Sequence, residues 1–237
     1  MICWLASYPR SGCDVLRIIL RAAFDLRTFN LHEPDGVALG QGIRNAQKKA
    51  FMEQEAIPGP WVNFYAKAMA SPSLTLIKTH GLPLDSSPCI HIIRDGRSCL
   101  SSFTDYTRSY YPNDVPALKS LIQGEHAIGS WQEHYFAWKS RPEAPRLLMR
   151  YEELLNGSNE LVEKLACFLN LPQPLTKDWT EIHVDIMAAC PAFEQNRMPV
   201  WQRPLTWTDE DEVLFWLHHS RAMEDMGYGM RKNPGLI

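Results

Sequence analysis

The chain has 237 residues, 45% hydrophobic and 22% charged, with 24 Lys plus Arg against 27 Asp plus Glu and a formal net charge of −3. That size suits one domain over residues 1–237. The slightly acidic balance excludes a protein built to neutralise a nucleic-acid backbone, so any anion site must be made locally.

The first apolar run is "ICWLA" (2–6), followed by a turn, "SYPRSG", and a helical pattern over 14–26. Residues 28–70 have weak periodicity and many aromatic residues. Short apolar runs return at "LTLIKT" (74–79), "CIHII" (89–93) and "RLLMR" (146–150). Helical patterns lie at 97–105, 124–139, 158–169 and 209–226, the last with an acidic first turn after Thr208. Apolar strands separated by helices predict a buried parallel sheet in a three-layer α/β fold. Trp131, His134 and Trp138 share one helix face and read as core.

Six cysteines (Cys3, Cys13, Cys89, Cys99, Cys167 and Cys190) form no CxxC pair, which argues against structural zinc, and several lie in apolar runs that suit a reducing compartment. "MICWLASYPR" lacks the basic start of a signal peptide, and no run approaches the roughly 20 apolar residues of a membrane span. A cytoplasmic protein without a nucleic-acid or membrane partner is expected. The sequence leaves the oligomeric state open.

In a parallel α/β sheet, ligands bind at the C-terminal strand ends. "SYPRSG" leaves the first strand there and opens a helix, whose unpaired N–H groups suit a phosphate. Gly12 allows close backbone approach, Ser11 offers a hydroxyl, and Arg10 adds a forked cation. The stretch lacks the distant first Gly and the Gly-Lys-Ser/Thr ending of a Walker A loop. On its own, an ordinary strand–helix turn fits as well.

Four stretches in order resemble the sulfotransferases that use 3′-phosphoadenosine 5′-phosphosulfate (PAPS) as donor. "SYPRSG" followed by "LR" is similar to their 5′-phosphosulfate loop, and "IKTHGLP" (77–83) to their Lys-Thr-His strand end. "IHIIRDGRSCLSSF" (90–103) resembles their 3′-phosphate strand and helix, and "RYEELL" (150–155) their Arg-Tyr-Glu-Asp-Leu motif. "GSWQEHYFAW" (129–138) resembles a segment of bacterial members. The resemblance spans nearly the whole chain and implies a P-loop-like fold, with a central parallel sheet flanked by helices.

It also implies sulfuryl transfer to a hydroxyl or amine. His80 matches the general base, Arg10 the catalytic cation, and Lys78 a residue bridging sulfate and acceptor. Ser11, Gly12, Cys13 and Asp14 match the 5′-phosphosulfate loop. Arg94 and Ser102 match the grip on the 3′-phosphate, Tyr151 the adenine-side tyrosine, and Phe193 the adenine-side phenylalanine, with Trp201 after it. Arg97 reads as a first-turn surface charge. The aromatics Trp61, Phe64, Tyr65, Tyr106, Tyr110 and Tyr111 suggest a small apolar or aromatic acceptor.

Cys13 and Asp14 stand where the family carries hydroxyl or amide residues, and Val15 where it carries tryptophan. Asp14 should repel a multiply charged anion. No Arg-Lys-Gly is present, and the segment 192–206 is short, which leaves Arg197 or Arg203 to supply the missing cation. A non-catalytic member that binds PAP (the donor after transfer) or another anion is therefore the alternative reading. A small-molecule kinase is a third.

Overall fold

The computed structural model describes residues 1–31, 57–171, 178–189 and 201–229. In chain order, the described elements begin with β1 (Ile2–Ser7), α1 (Cys13–Phe24), β2 (Thr28–Asn30), α2 (Trp61–Ala70), β3 (Thr75–Thr79), β4 (Cys89–Ile93) and α3 (Gly96–Tyr110). They continue with α4 (Leu118–Gln123), α5 (Trp131–Lys139), β5 (Arg146–Arg150), α6 (Tyr151–Asn156), α7 (Asn159–Leu169), α8 (Trp179–Ala189) and α9 (Asp209–Asp225). The strands form one sheet in the order β2-β3-β1-β4-β5, and every pairing is parallel.

β1 is buried along its whole length, so both of its faces must be covered. Its alternation divides the core. Cys3 and Leu5 join α1, α7 and α8 on one side, whereas Ile2, Trp4 and Ala6 join Phe64 and Ala68 of α2 and Trp138 of α5 on the other. A third cluster gathers α3, α4, α5 and α9 around Phe215 and Trp131. The layers are helix, sheet and helix, as expected from the sequence.

The four predicted strands are present with ends shifted by a residue at most. β2 lies within a stretch that showed only weak periodicity, because it is an edge strand of three residues. Of the helix expected over 124–139 only Trp131–Lys139 forms, as α5, and α4 (Leu118–Gln123) lies just before the expected range. Gly124 and Gly129 between them have φ of 75° and 71°, a backbone that stops one helix and delays the next. α2 occupies part of the stretch read as irregular. It packs Trp61 near Trp4, with ring centroids 6.3 Å apart, and Tyr65 donates to Asp85 at 2.6 Å. Trp61, Phe64 and Tyr65 therefore contribute to packing on β1.

Trp131, His134 and Trp138 are buried, as read. Arg97 is not the surface charge expected. It is buried, donates to Asp95 from Nε and Nη2 at 3.1 and 2.7 Å, and reaches Glu212 of α9 at 3.0 Å. It fastens the start of α3 to the start of α9, where Thr208 and Asp211 form a capping box. Four cysteines are buried thiols, and Cys167 is exposed; Cys190 lies outside the described residues. No described helix is long and apolar enough to cross a membrane.

His91 and His219 sit in this core as neutral rings. Burial holds His91 well below the ordinary histidine value of 6.5 and brings His219 down to about 4. Below that ordinary value the unfolded chain binds protons that the folded chain refuses. Their contribution to stability is thus full above about pH 6.5 and declines as pH falls towards about 4. The urea midpoint is expected to fall between about pH 7.5 and about pH 5, and to fall less in His219→Gln. An identical profile in that variant contradicts this assignment.

Candidate functional site

β3 and β4 lie on opposite sides of β1, so the chain passes from one side of β1 to the other at their C-terminal ends. That is where open α/β sheets form a crevice. Arg10 follows β1, His80 follows β3, Arg94 follows β4 and Tyr151 follows β5. Residues far apart in sequence therefore meet at one sheet edge.

The loop after β1 is held in an unusual shape. Arg10 has φ of 70°, a left-handed backbone that costs a non-glycine residue energy. Its carbonyl accepts from Arg94 Nη1 at 3.0 Å, which ties the loop to the end of β4. Its Nε donates to Ser102 of α3 at 3.1 Å, and its guanidinium lies 4.8 Å from the Tyr106 ring centre. Arg94 in turn stacks on Tyr151 at 4.1 Å. Arg10, Arg94, Ser102 and Tyr151 form one connected group.

Gly12 precedes α1 with φ of 100° and supplies no side-chain cap. A Cβ there would meet the Tyr151 ring at 2.5 Å. The close approach that demands glycine is thus the Tyr151 ring beneath the loop. The first N–H groups of α1 point outward along the helix axis, with the partial positive charge that favours an anion.

Ser11 and Cys13 differ from the sequence reading in where their side chains go. Ser11 is 1% exposed, with its hydroxyl 3.3 Å from the Cys99 sulfur. Cys13 lies in the core, where burial raises its thiol despite Lys78 and Arg17 nearby. What these positions offer an anion is backbone N–H rather than hydroxyl or thiol.

On the β3 side, the register continues one residue beyond the Ala6–Thr79 pair and sets Ser7 beside His80. The Ser7 carbonyl accepts from His80 Nδ1 at 2.7 Å, and the Ser7 hydroxyl is 3.3 Å from the same nitrogen. A carbonyl can only accept, so Nδ1 carries the proton and the basic lone pair of the neutral ring is on Nε2. Ser7 was not singled out from sequence, although the parallel register could have found it. Lys78 Nζ lies 3.5 Å from Asp14 Oδ1, which also lies 3.5 Å from Arg17 Nη1.

Tyr106 belongs beside the site through Arg10, and it clusters with Tyr110 and Tyr111. Burial, with Tyr111 beside it, pushes the Tyr106 hydroxyl up to about 12, so it stays protonated. Arg203 is engaged elsewhere, donating to the Trp207 carbonyl and pairing with Asp209 at 2.6 Å. Trp201 stacks on Trp207 and Arg97. Phe193 and Arg197 lie outside the described residues. Among the described residues, no cluster of His, Cys, Asp and Glu could hold a metal.

A family model described as Sulfotransferase domain matches residues 3–203, and the chain belongs to that family. It is 29% identical over 181 residues to mouse sulfotransferase 1B1, covering 70% of this chain and 57% of that protein. It is 26% identical over 191 residues to cytosolic sulfotransferase 8 of Arabidopsis thaliana, covering 71% and 54%. The matches thus span under two thirds of these relatives. Among solved structures, mouse sulfotransferase SULT7A1 complexed with PAP superposes with a TM-score of 0.60 at 15% identity, over 95% of this chain and 88% of that one. A retinol dehydratase complexed with androsterone and the inactive cofactor PAP gives 0.54 at 16% identity, over 98% and 82%. These likenesses show a shared fold.

Gly12→Ala is expected to combine left-handed strain with a clash against a buried ring, costing about 2–4 kcal/mol. Thermal unfolding measures it, and a melting temperature equal to that of the wild type contradicts the packing described.

Proposed function

We propose that this member of the sulfotransferase family transfers a sulfuryl group from PAPS to a hydroxyl or amine of a small-molecule acceptor. One observation carries the reading. The ends of β1, β3, β4 and β5 bring Arg10, Lys78 and Arg94 around the start of α1, with His80 held across β1 by Ser7. PAP bound to the two neighbouring structures supports the donor class, and androsterone in one of them supports an apolar acceptor.

Arg94 and Ser102 take the 3′-phosphate, Tyr151 the adenine side, and the N–H groups opening α1 the 5′-phosphate. Arg10 Nε donates to the Ser102 oxygen, which keeps its own proton to donate to the 3′-phosphate, and the remaining guanidinium N–H groups of Arg10 serve the bridging oxygen. His80 Nε2 takes the acceptor proton as the new sulfur–oxygen bond forms. The bond from sulfur to the phosphate oxygen breaks, and Arg10 and Lys78 meet the charge that grows there. Arginine keeps its proton at ordinary pH, so Arg10 acts by charge alone. His80 then gives its proton to solvent.

Asp14 on Lys78 supports a second reading, a member that binds PAP without transfer. Assay with labelled PAPS and a panel of apolar and phenolic acceptors separates the two. His80→Ala is expected to slow transfer by at least about 100-fold while leaving PAP affinity within about threefold. Transfer at the wild-type rate in that variant contradicts the assigned base. Arg94→Ala is expected to weaken PAP binding by about 10- to 100-fold in calorimetry. Unchanged affinity removes Arg94 from the donor site.

A further inference from the structure

Arg17 lies on the second turn of α1 with its side chain 1% exposed. Nε donates to Thr28 at 2.7 Å, while Nη1 and Nη2 make no hydrogen bond among the described residues. A buried guanidinium of this kind needs a countercharge. Among the described residues, the carboxylate paired with it is Asp14, through Oδ1 at 3.5 Å. The same oxygen is 3.5 Å from Nζ of Lys78, a lysine side chain 13% exposed. Asp14 itself is 36% exposed on its side chain and stands in the first turn of α1, next to the loop that follows β1. Both separations exceed a good charge-assisted hydrogen bond, so the contact is loose and separable.

Resting on the proposed donor site, we propose that Asp14 sets the affinity of this site for sulfonated donor against desulfonated product. The carboxylate shares Lys78 with the incoming sulfuryl oxygens. PAPS brings those oxygens and must compete for the ammonium, whereas PAP lacks them and leaves the Asp14–Lys78 pair in place. Asp14 therefore weakens PAPS binding more than PAP binding. Its anchor is Arg17, whose buried charge keeps the carboxylate at the mouth of the cradle.

Calorimetric titration of PAPS without acceptor, and of PAP, into wild type and Asp14→Asn tests this. Removing one charge at contact range is expected to tighten PAPS by about tenfold and PAP by about threefold or less. In a Lys78→Gln background the same substitution is expected to tighten both ligands equally, because the shared ammonium is gone. Should Asp14→Asn fail to fold for want of a counter-ion to Arg17, the double substitution Asp14→Asn with Arg17→Leu removes the buried charge together with its carboxylate, and the same ratio of affinities is read against Arg17→Leu alone. A purely structural role at the helix start shifts the melting temperature but not the ratio of PAPS to PAP affinity. Equal tightening of both ligands in the Lys78 form overturns the inference, as does no tightening. Wild-type turnover of PAPS alongside either result leaves the proposed function standing, whereas absence of PAPS and PAP binding in every form overturns both.

Discussion

The parallel pairing of β1 with β3 on one side and β4 on the other is the constraint on which the site depends. It brings three strand ends side by side and leaves no strand to fill the space beyond them. The register then decides which atoms meet. A continued Ala6–Thr79 pairing puts the Ser7 carbonyl against His80 Nδ1, which fixes the tautomer of that ring. A slip of one residue would turn His80 and Lys78 to the opposite face. Burial of β3 on both faces opposes that slip, because Leu76 and Ile77 each fill a different layer of the core.

Charge is the second organising theme, and two arrangements of it coexist. Arg97, Asp95 and Glu212 form a buried network that joins α3 to α9 and takes no part in the crevice. Among the described residues, Arg10 and Arg94 form no ion pair and are supported by tyrosine rings and by neutral hydrogen bonds. Asp14 is the exception, a carboxylate placed at the edge of the cradle and held there by two cations.

The strands and most helices were legible because continuous apolar runs and 3.6-residue periodicity survive without tertiary information. β2 was not, since three residues at a sheet edge carry almost no pattern. The order of motifs located Arg10, His80, Arg94, Ser102 and Tyr151 at strand ends or a following helix. Their mutual contacts were hidden, as was the reason for Gly12, which is the Tyr151 ring. Arg97 looked like a surface charge because its partner Glu212 lies 115 residues away. Likewise, Asp14 looked like a misplaced repulsion because Lys78, 64 residues on, is invisible to local reading. Side chains such as Ser11 and Cys13 were assigned outward by motif, and the packing of α1 turns them inward.

The most direct measurement is a crystal structure of the chain with PAP bound. The expected result places the 5′-phosphate on the backbone opening α1, the 3′-phosphate within hydrogen-bond reach of Arg94 and Ser102, and the adenine beside Tyr151. PAP bound at a different surface, with the crevice between β3 and β4 empty, would contradict it.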